Sequence, residues 1–374
     1  MPLDSPPRES EPIMSTARAA VLVGPNNVET WEVNVPEPAP AGVLVRVVVG
    51  GVCGSDAHIV TGDAGVMPFP IVLGHEGVGR IEKLGVDITT DYAGVPVEVG
   101  DVVYWAPIAL CHRCYSCTIL DNTPCENSRF FENADLPNWG SYADFAWLPP
   151  GMAFFRVPDH VEPEALAALG CALPTALRGF EQAGGLRYNQ SVVVQGAGPV
   201  GLSAVLVASL SGAGEIIVID GSEKRLETAR SLGATATVSL AESSAEQRLN
   251  DIYALTGPSG PDVVVEAAGF LGAFPEGIDL VGLHGRYIVL GLWGAMGEIP
   301  VSPRLLTTKN VQITGATFPK PKHYYGTVQL VARCQDTVPL SSLVTHRFSI
   351  ADAGAALEAI RTGTVIKAVI DPSL

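Results

Sequence analysis

Residues Ser191 to Asp220 read SVVVQGAGPVGLSAVLVASLSGAGEIIVID, and this pattern leaves a chain little choice of fold. A four-residue apolar run enters Gly196-x-Gly198-x-x-Gly201, a helical pattern follows, and Asp220 ends the next apolar run 19 residues after the last glycine. The first glycine permits a tight turn, the second lets backbone approach a pyrophosphate, and the third lets helix and strand pack closely. Pro199 and Val200 open the helix, whose unpaired N–H groups and dipole favour an anion. Asp220 is placed to accept hydrogen bonds from ribose hydroxyls, and its charge opposes a 2′-phosphate, so NAD is favoured over NADP. Lys224 and Arg225 are the features that point the other way. A glycine-rich turn of some other α/β protein is the bland alternative, and the strand, helix and acid around it argue against that.

Further strands follow as ATATVSL, PDVVVEAAG, GRYIVLGLWG and NVQITGATF, most of them separated by helical stretches such as SEKRLETARSLG. The alternation predicts an α/β fold whose doubly wound parallel sheet spans residues 187–318. The strand ends around Ala268, Gly291 and Leu292 should then lie beside the nicotinamide half of a dinucleotide. From Ala17 to Pro158 the text is β-rich and glycine-punctuated, as in VLVRVVVGGVC, with no helical stretch of convincing length before Glu162. The last residues, from Pro319, end in an amphipathic helix, ADAGAALEAIRTG, and a strand, VIKAVID, that return to this β-rich part. One domain is therefore expected over 17–186 and 319–374, and a disordered tail, rich in Pro, Ser and Glu, over 1–16.

Two groups of metal-ligating side chains fall in the β-rich part. Cys53 and His75, within GGVCGSDAHIVTGDAGVMPFPIVLGHE, are ligand types that Zn²⁺ prefers, and Cys171 in LGCALPTAL is the best candidate for a third. Three protein ligands and one open position would make a catalytic site. Cys111, Cys114, Cys117 and Cys125 stand at C-x₂-C-x₂-C-x₇-C and can close a tetrahedral site with no open position, which makes it structural. An iron–sulfur cluster is the rival reading, but a nucleotide fold needs no further electron carrier. Asp56 should hold the tautomer of His75. Ser55 is two residues from Cys53, so in an extended segment both point one way, and His58 beyond them can pass a proton to water. Alternatively Ser55 and His58 only cap a turn.

The formal net charge of −16 argues against nucleic acid and anionic membranes as partners. No apolar run approaches the ~18 residues of a membrane span. All seven cysteines can be placed without a disulfide, which suits a reducing cytoplasm.

The order GGVCGSDAH, GHE, C-x₂-C-x₂-C-x₇-C, GCALPTA and GAGPVG closely resembles the zinc-dependent alcohol dehydrogenases of the medium-chain dehydrogenase/reductase superfamily, from about Ala17 to Asp371. That resemblance implies a Rossmann domain beside a GroES-like catalytic domain, with two Zn²⁺ per chain and NAD(H). By it, Cys53, His75 and Cys171 ligate the catalytic zinc, and Cys111, Cys114, Cys117 and Cys125 the structural one. Ser55 is similar to the hydroxyl that touches the substrate oxygen, His58 to the outer member of its proton relay, Asp56 to the acid on the zinc-bound histidine, and Glu76 to the glutamate behind the metal. Thr175 resembles a threonine beside the nicotinamide, Arg225 a basic residue at the adenosine ribose, and Lys367 one near the pyrophosphate. The sorbitol and threonine dehydrogenase branches often carry a carboxylate where Cys171 stands.

The implied reaction is NAD(H)-linked hydride transfer between a secondary alcohol, of polyol, sugar or cyclitol type, and its ketone. Oxidation of hydrophobic or aromatic primary alcohols, NADPH-dependent reduction of a C=C bond, and non-catalytic binding of zinc and nucleotide are the alternatives. Met67, Phe69, Trp105, Trp139, Leu292, Trp293 and Tyr324 are candidates to line the cleft, with Asn138 and His323 adding polar contacts. Family members are homodimers or homotetramers, and a strand near Glu298–Val301 would pair across the two-fold axis.

Overall fold

The computed structural model describes residues 16–63, 69–120, 124–127, 139–295 and 297–374. The tail expected at 1–16 therefore lies outside the described residues except for Thr16, as do Met67 and Asn138. The described chain opens with β1 (Thr16–Gly24), β2 (Asn27–Asn34), β3 (Val43–Gly51), α1 (Gly54–Thr61), β4 (Ile71–Val72), β5 (Glu76–Leu84) and β6 (Val102–Ala109). After α2 (Tyr115–Thr118) come β7 (Phe145–Leu148), β8 (Met152–Arg156), α3 (Pro163–Leu169) and α4 (Ala172–Gln182). Strand and helix then alternate: β9 (Val192–Gln195), α5 (Pro199–Leu210), β10 (Ile216–Asp220), α6 (Glu223–Ser231), β11 (Ala236–Ser239), α7 (Ala245–Thr256), β12 (Val263–Glu266), α8 (Ala273–Leu280), β13 (Arg286–Val289), α9 (Pro303–Lys309) and β14 (Gln312–Gly315). The chain closes with α10 (Pro321–Cys334), β15 (Val344–Phe348), α11 (Ala353–Arg361) and β16 (Lys367–Ile370).

Strands β9 to β14 form one six-stranded sheet, ordered β11-β10-β9-β12-β13-β14, and every pairing in it is parallel. Parallel sheets are covered on both faces, so their strands read as unbroken apolar runs. VVVQ, IIVID and VVVE do so here, and all their residues are buried. From β9 the chain winds outward through β10 and β11, then returns to β12 on the other flank of β9. That reversal opens a crevice at the carboxyl ends of β9 and β12.

The β-rich part carries a seven-stranded sheet, ordered β15-β16-β3-β5-β6-β8 with β7 also on β3, and a three-stranded sheet, β2-β1-β4. The final strand joins it in register, Val369 opposite Gly51 and Ile370 opposite Gly50. The main core cluster runs through both parts, from Val49, Val78 and Tyr104 past α3 and α4 to Val192, Val194 and Val265. The two sheets are therefore joined by packed apolar side chains around α3 and α4.

Three expectations need correction. The stretch before Glu162 does hold a helix, α1, which buries only Asp56 and Ile59 and so carries little helical periodicity. Glu298–Val301 is not a strand. Trp105, Trp139 and Tyr324 belong to the core rather than to a cleft. Trp105 is fully buried, its indole N–H donating to the Trp139 carbonyl. Tyr324 packs its ring 5.5 Å from that of Tyr104.

Candidate metal, proton-relay and nucleotide centres

Cys53 lies two residues beyond β3 and is the N-cap of α1. Its backbone N–H donates to Asp56 Oδ2 at 3.1 Å, an acid three residues on satisfying the helix start. Gly62, with φ at 87°, ends the helix in the left-handed conformation. His75 lies one residue before β5, and Cys171 between α3 and α4, after the turn at Gly170. Three elements that are distant in sequence thus meet.

Their ligating atoms converge, since those of Cys53, His75, Glu76 and Cys171 all lie within 4.8 Å of one another. The Cys53 and Cys171 sulfurs are 3.5 Å apart. Tetrahedral zinc with Zn–S bonds of about 2.3 Å separates two sulfurs by about 3.8 Å, so the donor set fits the ion. His75 Nδ1 faces Asp56 Oδ1 at 2.8 Å, which leaves Nε2 turned inward. Ser55 Oγ is 3.2 Å from Cys53 Sγ and 3.3 Å from His75 Nε2, at the rim of the same cluster. The hydrogen bond from Cys171 holds the Cys53 thiol down to about 5, and the same contact pushes Cys171 well above its ordinary range.

A buried support surrounds this cluster. Asp56 is 1% exposed and also accepts the Tyr142 hydroxyl through Oδ2 at 2.7 Å. Burial pushes the Tyr142 hydroxyl well above its usual pKa, so it stays a donor. Glu76 accepts the Cys171 N–H at 2.8 Å through Oε1 and meets the Lys367 ammonium through Oε2. Burial alone would push the Glu76 carboxyl up, yet Lys367 holds it below its ordinary value. Lys367 is itself 1% exposed, and its ammonium is paired with Glu76.

Ser55 and His58 both lie on α1, three residues apart, and so share a helix face. The extended geometry expected for this segment does not occur, but the helix brings the two side chains to one side. His58 stays part-exposed, with Nδ1 3.6 Å from Asp63. Its ring lies so close to Gly294 that a Cβ there would come within 2.5 Å of it. Helix α1 therefore touches the loop that follows β13.

Cys111, Cys114, Cys117 and Cys125 also bring their sulfurs together within 4.8 Å, at the start of α2. Cys114 and Cys125 are 3.8 Å apart, the separation of a tetrahedral edge. The Asn127 amide donates to Cys111 at 3.3 Å and holds its thiol down to about 5. The ring of His112 packs on Tyr92, and its Nε2 is hydrogen-bonded to the Tyr92 hydroxyl at 3.0 Å.

At the crevice of the parallel sheet, Gly196 has φ at 92°, and a Cβ on Gly201 would lie 1.8 Å from the Gly196 carbonyl. Gly198, the N-cap of α5, faces open space, with Pro199 and Val200 part-exposed behind it. Asp220 is buried, and its carboxylate accepts the Ala197 N–H at 2.7 Å and the Ser222 N–H at 2.8 Å. Thr175, on α4 beside Cys171, bonds back to the Cys171 carbonyl. Arg225 reaches across to the Gly363 and Val365 carbonyls at 3.4 and 3.3 Å. His323, a candidate for the cleft, is instead held by Glu181 at 2.6 Å.

Sequence reading missed Tyr142 and Glu266. Tyr142 carries no local signal. Glu266, a charge closing the apolar run VVVE, does carry one, and the structure buries it completely.

The model for an alcohol dehydrogenase GroES-like domain matches residues 39–159, and that for a zinc-binding dehydrogenase matches 199–333. The chain is 66% identical to 5-exo-hydroxycamphor dehydrogenase of Pseudomonas putida, over 96% of this chain and 100% of the relative. It is 30% identical to L-threonine 3-dehydrogenase of Anaeromyxobacter sp. strain K, over 91% and 94%. The solved structure of an alcohol dehydrogenase from Thermotoga maritima superposes with a TM-score of 0.87 at 30% identity, over 95% and 99% of the two chains.

Proposed function

The chain belongs to the zinc-dependent alcohol dehydrogenases of the medium-chain dehydrogenase/reductase superfamily, and on that premise we propose that it interconverts a ring-borne secondary alcohol and its ketone with NAD(H). The observation that carries the substrate class is the 66% identity to an enzyme named for 5-exo-hydroxycamphor, a secondary alcohol on a bicyclic skeleton. This narrows the wider expectation of polyols, sugars and cyclitols toward an apolar ring.

Cys53, His75 and Cys171 would hold the catalytic ion, which when bound supplies Lewis acidity and lowers the pKa of a hydroxyl it meets. Ser55, 3.2 Å from Cys53 Sγ, stands where it can accept the proton of a substrate hydroxyl. His58, on the same face of α1 and part-exposed, passes that proton to solvent. Asp56 orients the His75 ring, and Glu76 with Lys367 holds the Cys171 backbone. Gly196, Gly198 and Gly201 leave room for a pyrophosphate at the start of α5. Asp220 takes the adenosine ribose and disfavours a 2′-phosphate, while Thr175, Ala268, Gly291 and Leu292 border the nicotinamide. The Cys₄ group would hold a second, structural Zn²⁺. Residues 17–186 and 319–374 would form the catalytic domain, and 187–318 the nucleotide domain.

Turnover of 5-exo-hydroxycamphor, cyclohexanol, a cyclitol and benzyl alcohol, followed by NADH absorbance with NAD and NADP in parallel, tests the reading. The bicyclic alcohol with NAD should lead by at least tenfold in kcat/KM. A lead for benzyl alcohol or the cyclitol would overturn the substrate class, and a tenfold preference for NADP would overturn the role of Asp220. Ser55→Ala should lower kcat by one to several decades with NADH binding retained; an unchanged rate removes Ser55 from the relay.

The edge strand β14, exposed at Gln312, Ile313 and Gly315, offers backbone to a second copy. A homodimer or homotetramer by light scattering is expected, and a monomer at micromolar concentration would refute it. Seven free cysteines suit a reducing cytoplasm.

A further inference from the structure

Glu266 ends β12 and is fully buried. Its Oε1 accepts the N–H groups of Ala268 at 2.9 Å and Gly269 at 2.8 Å, and its Oε2 accepts that of Gly291 at 2.9 Å. The Leu292 N–H also favours the charged form. These donors belong to two loops, 267–269 after β12 and 290–292 after β13. Burial pushes the carboxyl pKa up, and the surrounding N–H groups oppose that rise. An ionised carboxylate offers about four acceptor positions on two oxygens, which is what two converging loops require. A glutamine offers one acceptor oxygen and would turn its NH₂ against one loop's donors.

The position of these loops follows from strand order. Asp220 ends β10 on one side of β9, whereas β12 and β13 lie on the other. A dinucleotide with its adenosine at Asp220 and its pyrophosphate at Gly198 must carry its other half across β9, over the ends of β12 and β13. The reacting centre adjoins the same place, because the His58 ring rests on Gly294 just beyond the second loop. The two loops also touch directly: a Cβ on Gly291 would come within 2.6 Å of the Gly269 nitrogen.

We propose that Glu266 is a positioning residue for the nicotinamide half of the cofactor. Its carboxylate clamps the two loops at a set separation, so the receiving surface exists before the cofactor arrives. The inference rests on the dehydrogenase reading above.

Binding of NADH and of ADP-ribose, which lacks the nicotinamide ring, is compared in zinc-loaded wild type and Glu266→Gln. NADPH and 2′-phospho-ADP-ribose replace them if wild type binds NADPH more tightly. The variant should lose tenfold or more in affinity for the nicotinamide cofactor and less than threefold for the ribose compound, with kcat lowered. Equal losses for both ligands, or none for either, would overturn the clamp and leave the dehydrogenase reading intact. If wild type binds neither NADH nor NADPH, both readings fall. Should Glu266→Gln not fold, Glu266→Asp, which keeps both oxygens one methylene short, must show the same unequal loss.

Discussion

Asp56 shows how much one buried carboxylate can organise. It accepts from His75 through one oxygen and from Tyr142 and the Cys53 backbone through the other. Ring orientation at a metal-binding histidine is set by such partners, whose loss costs roughly tenfold to a hundredfold in metal affinity. Tyr142→Phe removes one of the three donors without changing the side-chain volume much. Zinc should then leave the Cys53 site at least about tenfold more readily in competition with a chelator. The Cys₄ site serves as an internal control and should retain its ion. Equal retention at both sites would show that Tyr142 only fills space. Cys53, His75 and Cys171 were legible as candidate ligands, because thiolate and imidazole are the donors zinc prefers. Tyr142 was not, since a tyrosine in SYADFAW reads as one more strand residue.

At the start of α10, His323 accepts the Lys320 N–H on Nδ1 at 2.9 Å, so Nε2 carries the proton toward Glu181. Burial lowers the His323 pKa below its ordinary value and outweighs the pull of Glu181, with Lys322 and Arg178 also opposing the charge. A base whose pKa is depressed by folding binds fewer protons folded than unfolded. Its contribution is present above the unfolded pKa and lost as pH falls. Denaturant unfolding should therefore show stability falling from pH 7.5 toward 5.5, with a shallower slope in His323→Gln. An identical slope in the variant would assign the pH dependence elsewhere. Elements that read as unbroken apolar runs, β9, β10, β12 and most of α5, were legible because each run is buried where it stands. Helix α1 was not, because it is held by Asp56 and by packing on α11 rather than by its own pattern.

Across the whole molecule, the last strand closes the first site. β16 pairs with β3 and delivers Lys367 to Glu76, 291 residues away in sequence. Both side chains are 1% exposed, and removing one partner of such a pair costs about 3–5 kcal/mol, because the other charge stays buried. Lys367→Met should lower stability by that order, and Lys367→Met with Glu76→Gln should recover most of it in denaturant unfolding. A double variant no better than the single would show that the pair is not coupled.

The order of apolar runs, the three glycines before α5 and the cysteine spacings determined by themselves the α/β class, the parallel sheet and the metal chemistry to be expected. These are local patterns, and a chain of this length can satisfy them in few ways. The contacts of Glu76 with Lys367 and the Cys171 backbone, the tyrosine behind Asp56, the helix that carries Ser55 and His58, and the clamp at Glu266 were decided only by tertiary structure. Glu76, Tyr142 and Glu266 are buried polar groups whose partners lie outside their own elements, and only folding makes the pairings that offset their loss of water.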